Sequence, residues 1–440
     1  MKILIVALAT LAALALFPVS AKAQSGAEPA ATVIAVPPLS APDDKPLDGG
    51  GTTLSVAWQA TQLIATDLRS TSELFPVGPD QKDFYSFPEV TAPNFPRWRS
   101  AGAKALVTGF VQARSDGRLT VGCYIYDVAK GRELGRKGFV ISPGDWRRAA
   151  HKCSGLAYSA VTGAPGIFDT RIAYVAESGS GAARTKKVAI IDSDGNNQVN
   201  LTKGDSFVLT PRLAPGAETI AFTSLAGGTP HIELINVASG TQRPLLNVPS
   251  MSFSPSFSAD GNRIAFSMMQ GINTDIYVVG ASGASGGAAR RLTSAPGIDT
   301  SPGFSPDGTR IVFESDRSGS QQLYIMNADG SDQRRLSFGG AWYSAPEWSP
   351  DGKWIAFTRR AADGRRIGVI GADGQSEKIL TSGGLDEGAR WAPSSRELVF
   401  QRTSATGRNA LYRVSLDAEQ PRPVATAQDG SDPDWSGARE

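Results

Sequence analysis

The spacing of apolar residues changes character near residue 163. Upstream, helix-like and strand-like patterns alternate, whereas downstream short apolar triplets separated by turns continue along the chain. Ala57, Ala60, Leu63, Ile64 and Leu68 recur at helical intervals and Thr52, Thr53 or Ser55 can cap the segment, which predicts a helix from Val56. A strand over 33–36 precedes it, across a Pro- and Gly-rich loop over 37–51. Runs over 105–112, 119–128 and 137–141, with the Asp116-Gly117 turn between the first two, predict a strand meander. Ser142-Pro143 then opens a second helix whose apolar face is Trp146, Ala149, Ala150, Cys153, Leu156, Ala157 and Ala160, stopped by Gly163. Two helices on a mixed sheet make an α/β domain over 24–163, and Gly163-Ala164-Pro165-Gly166 links it to the rest.

The second half repeats a phrase, Pro-x-bulky residue followed by Ser or Ala and often Pro-Asp-Gly. Examples are Pro255-Ser256-Phe257-Ser258-Ala259-Asp260-Gly261, Pro302-Gly303-Phe304-Ser305-Pro306-Asp307-Gly308 and Pro346-Glu347-Trp348-Ser349-Pro350-Asp351-Gly352. The bulky positions Leu213, Phe257, Phe304, Trp348, Trp391 and Trp435 stand 44, 47, 44, 43 and 44 residues apart, a period of propeller blades. Each Asp-Gly supplies the positive φ of a tight hairpin, and an apolar triplet such as Ile264-Ala265-Phe266 or Ile311-Val312-Phe313 follows it. A third strand (Asp275 to Val279, Gln322 to Met326) and a short outer one complete four strands per repeat. Ile172-Ala173-Tyr174 lacks a preceding first strand, and Pro433-Asp434-Trp435-Ser436 lacks a following second one. These orphans complement each other, so residues 164–440 are expected to form a six-bladed β-propeller closed by the C-terminal strand.

Charge and composition exclude several function classes. With 44 Lys and Arg against 42 Asp and Glu, the formal charge of +2 is too balanced for a generic nucleic-acid binder. The 48 Gly and 28 Pro make up about 17% of the chain, below the roughly 25% at which disorder becomes the default. Lys2, the uncharged run 3–17, Pro18 and Ala21-Lys22-Ala23 have the order of a secretory signal peptide over 1–23. The run is shorter than the roughly 20 residues of a membrane span, so the mature chain from Gln24 is expected to be soluble in an oxidising compartment.

Reactive chemistry finds little support. Gly283-Ala284-Ser285-Gly286-Gly287 matches a nucleophile elbow, but both His151 and His231 precede the Ser, against the α/β-hydrolase order, and a Gly/Ser-rich hairpin is the simpler reading. Asp192-Ser193-Asp194-Gly195-Asn196-Asn197 lacks the sixth-position Gly and closing Glu of a calcium loop and reads as a turn. His151, on the second helix, reads as a hydrogen-bonded structural histidine. No catalytic, cofactor-binding or metal residue is assigned. Cys123 shares a strand face with Leu119, Val121 and Ile125, and Cys153 lies on the apolar helix face. They are either a disulfide or two buried thiols.

The stretch from His151 through Tyr158, Thr162-Gly163, Gly166, Phe168 and Asp169-Thr170-Arg171-Ile172-Ala173-Tyr174-Val175 resembles the junction of the TolB family, periplasmic propeller proteins of the Tol-Pal system. The joint order of signal peptide, α/β domain, junction and six blades carries the resemblance over nearly the whole mature chain. It implies a non-enzymatic, monomeric periplasmic binding protein without cofactor. Its propeller would hold the peptidoglycan-associated lipoprotein Pal, and its N-terminal segment would signal to TolA during envelope constriction. The family's Pal face maps onto loops just before the Pro-x-bulky phrases: Met251, Ser252, Phe253 and Ser254; Ile298, Asp299, Thr300 and Ser301; Trp342, Tyr343, Ser344 and Ala345. Phe207, Val208, Leu209 and Thr210 flank these on one side, and Leu385, Asp386 and Glu387 on the other. Loops at a channel mouth point the same way, since Phe207, Met251, Phe253, Ile298, Trp342 and Tyr343 are apolar where plain turns are polar. Docking and packing between blades both account for them. Thr300 is expected to be an exposed loop residue there. Residues 24–32 lack the apolar run that the family's mature N-terminus often carries, and Gly155 stands where its helix usually has an acid. A propeller attached to a peptidase-like enzyme and a binder of small ligands or glycans in the channel are the competing readings. Against the first, the segment 24–163 offers no Ser, Asp and His in usable order.

Overall fold

The computed structural model describes residues 31–78, 87–246, 251–282, 288–417 and 420–438. The expected signal segment, residues 24–30 and the Gly283–Gly287 stretch lie outside the described residues. The N-terminal region is a five-stranded sheet in the order β2-β1-β3-β4-β5, with β1 Thr32–Ala35, β2 Leu74–Val77, β3 Ala105–Ala113, β4 Leu119–Asp127 and β5 Arg132–Ile141. Strands β2, β1 and β3 run parallel, and β3, β4 and β5 form the antiparallel meander. Helices α1 (Thr53–Arg69) and α4 (Trp146–Thr162) pack with their apolar stripes on this sheet, Ala57, Ile64, Leu68, Ala150 and Ala157 meeting Ile34, Val107, Val121 and Ile125. A capping box formed by Thr52 and Ser55 starts α1. Gly163, at φ 74, ends α4 by donating its N–H to the Ser159 carbonyl.

The structure also holds elements the apolar spacing did not reveal. Edge strand β2 contains Pro76, which a strand tolerates only at an edge, and the short helices α2 (Phe87–Thr91) and α3 (Phe95–Ser100) cover Tyr126 with Val90 and Trp98. Strand β5 begins at Arg132 rather than 137, because its first half is a polar, exposed edge. Cys123 and Cys153 are bridged, with Cα atoms 5.8 Å apart, so β4 is tied to α4. Beyond α4 the chain passes close beneath the helix. A Cβ on Gly166 would stand 2.6 Å from the Gly155 Cα, whereas one on Gly155 would have its nearest neighbour at 3.8 Å. Close approach therefore constrains Gly166, and Gly155 itself has room for a side chain.

The remaining strands form a β-propeller. Strand pairing gives sheets over Val208–Leu213 to Gln242–Pro244, Ser252–Phe257 to Arg290–Arg291 and Asp299–Phe304 to Arg334–Arg335. An eight-stranded sheet follows, joining the run that starts at Trp342–Trp348 to the run that starts at Leu385–Trp391 through one parallel pair, Arg365↔Leu385. The last strand, Asp429–Trp435, pairs antiparallel with Arg171–Ser178, as the orphan motifs predicted. We number the repeats from 1 (Arg171–Ser178 onward, completed by Asp429–Trp435) to 6 (Leu385–Trp391 onward). The Ser before each Asp-Gly turn is buried for a reason: Ser258 Oγ accepts the Arg263 N–H at 3.0 Å, and Ser305 Oγ that of Arg310 at 2.9 Å. The turn glycines Gly261, Gly308 and Gly352 have φ of 71°, 68° and 73°. Phe222, Phe266, Phe313, Phe357 and Phe400, with Tyr174 in repeat 1, are fully buried between neighbouring sheets. Among the described residues no helix is long and apolar enough to cross a membrane.

Candidate docking site

Antiparallel order fixes which residues share an end of the propeller. The Asp-Gly turns and the third-to-outer turns lie at one end. The second-to-third hairpins and the chain leading into each innermost strand lie at the other. The α/β region occupies the first end. His151 on α4 places Nδ1 2.8 Å from Asp67 Oδ2 of α1 and Nε2 3.4 Å from Asp194 Oδ2 in a turn of repeat 1. Ser154 donates to the same Asp67 oxygen at 2.7 Å, and Arg147 also reaches Asp194. Burial would depress the His151 pKa, but hydrogen bonds and charge from Asp194 and Asp67 outweigh it and push it up to about 10, so it is a structural cation. Arg396 of repeat 6 meets Glu73 at 3.0 Å, and Glu73 also accepts from Tyr158 of α4 at 2.9 Å.

At the opposite end Phe207, Met251, Ile298, Trp342 and Leu385 are 48, 37, 49, 50 and 39% exposed, one from each of five successive repeats. They form an apolar crown around the channel mouth. Most of the residues expected in loops there belong to innermost strands instead. Val208, Leu209 and Thr210, Ser252, Phe253 and Ser254, Asp299, Thr300 and Ser301, Tyr343, Ser344 and Ala345, and Asp386 and Glu387 all lie in strands. Trp342 and Leu385 are the first residues of theirs. Thr300 is buried, not exposed, because its hydroxyl is bonded to the buried Glu314. Asp299 and Asp386 are buried and paired with Arg317 and Arg402. Tyr343 points inward, its hydroxyl bonded to Glu377 at 3.0 Å.

Every innermost strand carries a bulge just beyond these positions. Thr210, Ser254, Ser301, Ala345 and Asp432 have φ between 46° and 52°, and Gly388 takes the same place at 65°. Register shifts occur there in all six pairings with the second strands. Four of the freed N–H groups are bonded by side chains of the neighbouring repeat. Thr223 Oγ1 accepts from Ser254 N at 3.3 Å, Glu314 from Ala345 N at 2.9 Å, Thr358 from Gly388 N at 3.1 Å and Gln401 from Asp432 N at 2.8 Å. These acceptors sit directly after the Phe of each apolar triplet. A polar residue recurring at that one buried-looking position was the available signal, and periodicity alone did not expose it.

The channel below the crown is narrow and charged. Its cavity of about 250 Å³ is lined by Arg212, Arg390, Glu347, Asp432 and Asp434 among others. It is smaller than the roughly 300–1,000 Å³ usual for small-ligand sites. Asp434 accepts the Leu213 N–H at 2.7 Å and Glu347 the Trp391 N–H at 2.9 Å, so both carboxylates tie innermost strands together. Burial foremost, with the Asp434 charge nearby, pushes Glu347 up to about 7. Among the described residues no group of three or more His, Cys, Asp or Glu is placed to hold a metal ion.

The fold and site define a β-propeller protein with an α/β domain on one end and an open apolar crown on the other. Its sequence matches the TolB beta propeller domain over residues 158–439 and the TolB amino-terminal domain over residues 25–134, and the chain belongs to the TolB family. It is 49% identical over 210 residues to the Tol-Pal system protein TolB of Zymomonas mobilis, covering 48% of this chain and 46% of that one. It is 45% identical over 210 residues to Tol-Pal system protein TolB 1 of Novosphingobium aromaticivorans, covering 48 and 47%. The chain thus spans about half the length of the curated relatives it matches. The crystal structure of TolB from Acinetobacter baumannii superposes with a TM-score of 0.77 at 27% identity, over 92% of this chain and 96% of that one.

Proposed function

We propose that this protein is a non-enzymatic periplasmic component of the Tol-Pal system that holds Pal on the apolar crown. Through its N-terminal region it would link to TolA, supporting outer-membrane integrity and constriction at division. The carrying observation is the ring of half-exposed Phe207, Met251, Ile298, Trp342 and Leu385 at the end left free by the α/β region. Apolar side chains held in water at the entrance of bulged, internally bonded strands suit a protein partner, whose contact removes them from solvent. The narrow, internally bonded channel favours this over a small-ligand role. We further read the eight-stranded sheet as two blades, because a single parallel pair joins its halves. That makes a six-bladed ring over 164–440 after an α/β domain over 24–163, with cleavage after Ala23 and a monomeric mature protein.

Titration calorimetry with the soluble domain of Pal from the same organism tests the reading. Ile298→Gln combined with Leu385→Gln should weaken binding on the order of tenfold or more while leaving the melting temperature in place. Unchanged affinity would remove the crown as the Pal face.

A further inference from the structure

Beside the crown, between repeats 4 and 5, the connection over 336–342 alternates buried anchors with exposed rings. Leu336, Ser337 and Ala341 are buried, while Phe338 is 75% and Trp342 50% exposed. The anchors are fixed by bonds: Ser337 Oγ accepts the Leu323 N–H at 2.9 Å, and Gln322 donates to the Ala341 carbonyl at 2.9 Å. Gly339 lets the Tyr343 ring pass beneath, since a Cβ there would run into the Tyr343 hydroxyl. The two outward rings therefore stand on a fixed support, which limits the ordering cost of any contact they make.

Each ring carries an arginine. The Arg335 guanidinium lies 5.1 Å from the Phe338 ring centre, and that of Arg360 lies 5.2 Å from the Trp342 ring centre. Arg335 also donates Nε–H to the Ser337 carbonyl at 2.6 Å, which aims it along the loop. Nearby arginines are neutralised: Arg317 by Asp299, Arg366 by Asp363 and Arg402 by Asp386. Among the described residues no carboxylate pairs with Arg335 or Arg360. Among the described residues Ser337 takes only the Nε–H of Arg335, so the terminal N–H groups of both guanidinium groups, held close to an aromatic ring, remain to receive a carboxylate.

We propose that Arg335, Phe338, Trp342 and Arg360 form a docking corner for an acidic protein segment in which a carboxylate adjoins an apolar side chain. The inference rests on the reading of the crown as the Pal face and adds what the partner must present at its rim. The apolar side chain covers the Phe338 and Trp342 rings, and the carboxylates meet the two guanidinium edges. Phe338, Arg335 and Arg360 lie outside the innermost strands, so the corner can be altered without disturbing the bulges.

The test is calorimetry of the full mature chain with soluble Pal at about 50 and 300 mM salt, with a thermal melt of each variant. Phe338→Ala is expected to weaken binding about tenfold. Arg335→Glu with Arg360→Glu should weaken it about a hundredfold at low salt and much less at high salt, since the lost term is electrostatic. Arg360→Lys, which keeps charge but loses the flat edge, should fall between. If the wild type binds Pal and Ile298→Gln weakens it while all corner variants bind as the wild type does, the corner is wrong and the crown reading stands. No binding by the wild type overturns both. Binding of the wild type to anionic lipid vesicles that is lost in the charge-reversed variant, with Pal binding unchanged, would assign the arginines to a membrane surface and overturn the proposal.

Discussion

At the end of the propeller that meets the α/β region, Ala392, Val399, Leu411, Val424 and Trp435 share one continuous core with Ile64, Leu68, Ala150 and Tyr158. That core crosses the place where the ring closes, between repeats 6 and 1. At the opposite end Phe207, Met251, Ile298 and Trp342 stand exposed, and backbone N–H groups freed by the bulges beneath them, those of Ser254 and Ala345 among them, are bonded within the ring. One end has spent its apolar surface and its charges on an internal partner. The other has bonded most of its bulge N–H groups internally and left its apolar surface unused. The lesson is that an exposed hydrophobe is informative when it stands in or next to a strand whose backbone is held by the neighbouring sheets, because local disorder then does not account for it.

The first way to break this comparison acts on the closed end, where the largest effect is expected. Truncation before Asp429 removes the strand paired with Arg171–Ser178 and with it Trp435, whose indole N–H donates to Thr170 at 2.9 Å. Losing a buried Trp alone costs about 3–5 kcal/mol, and the exposed strand edge adds to it. The truncated chain should melt at least about 10 °C lower in calorimetry. An unchanged melt would mean that the ring does not depend on its closing strand. Next in size, Cys123→Ala with Cys153→Ala opens a loop of sequence separation 30 and should cost about 2–4 kcal/mol in a denaturant titration. The loss should appear in the α/β region first, and α4 would carry it to the domain interface.

Smaller, and specific in its pH dependence, is the effect of His151→Gln. In the folded protein His151 stays protonated up to about pH 10, whereas an unfolded histidine releases its proton near 6.5. Its contribution is therefore complete below about pH 6.5 and fades as pH rises toward 10. Asp194, which the hydrogen bonds from His151 and Asn196 hold below its usual range against the opposing effect of burial, adds stability that is lost in acid. The variant should be about 2–3 kcal/mol less stable at pH 6 and approach the wild type by pH 10. A difference that did not vary with pH would show that His151 acts through packing rather than charge.

The ring, its closure and the two long helices were legible because each rests on short-range chemistry. Asp-Gly turns, Gly163 and the triplet period do not depend on distant partners. Strand β2 was hidden because Pro76 argues against a strand unless its edge position is known, and α2 and α3 are too short to show a period. Long-range pairings were illegible in principle: nothing near Asp67 announces His151 at a separation of 84, nor anything near Glu314 the N–H of Ala345. The mouth-side positions named from the sequence differ from the structure in which of them are exposed. Trp342 and Tyr343 both read as mouth residues, yet they are neighbours in a regular strand segment ahead of the bulge, so their side chains point to opposite faces and one is exposed while the other is buried. Direct cross-strand pairing, which no local pattern announces, puts Thr300 against Glu314 rather than in solvent.

The smallest expected effect sharpens the comparison most. Ile298 is 49% exposed, and what it gives the fold is its backbone N–H, bonded to Asp316 at 2.7 Å, which any residue but proline retains. Ile298→Gln exchanges a half-wet apolar side chain for a polar one of similar length. It should move stability by no more than about 0.5 kcal/mol, roughly the scatter of surface substitutions. A chemically similar exchange at Val424, buried in the shared core of the closed end, should cost about 2–4 kcal/mol through the uncompensated amide and the lost packing. Thermal melts of both variants at one protein concentration, repeated at a tenfold higher one, measure the asymmetry. If Ile298→Gln destabilised the protein as much as the Val424 exchange, the crown would be core in disguise. If the melt depended on concentration in the wild type and not in Ile298→Gln, the crown would be covered by a second copy of the chain rather than kept free for a different partner.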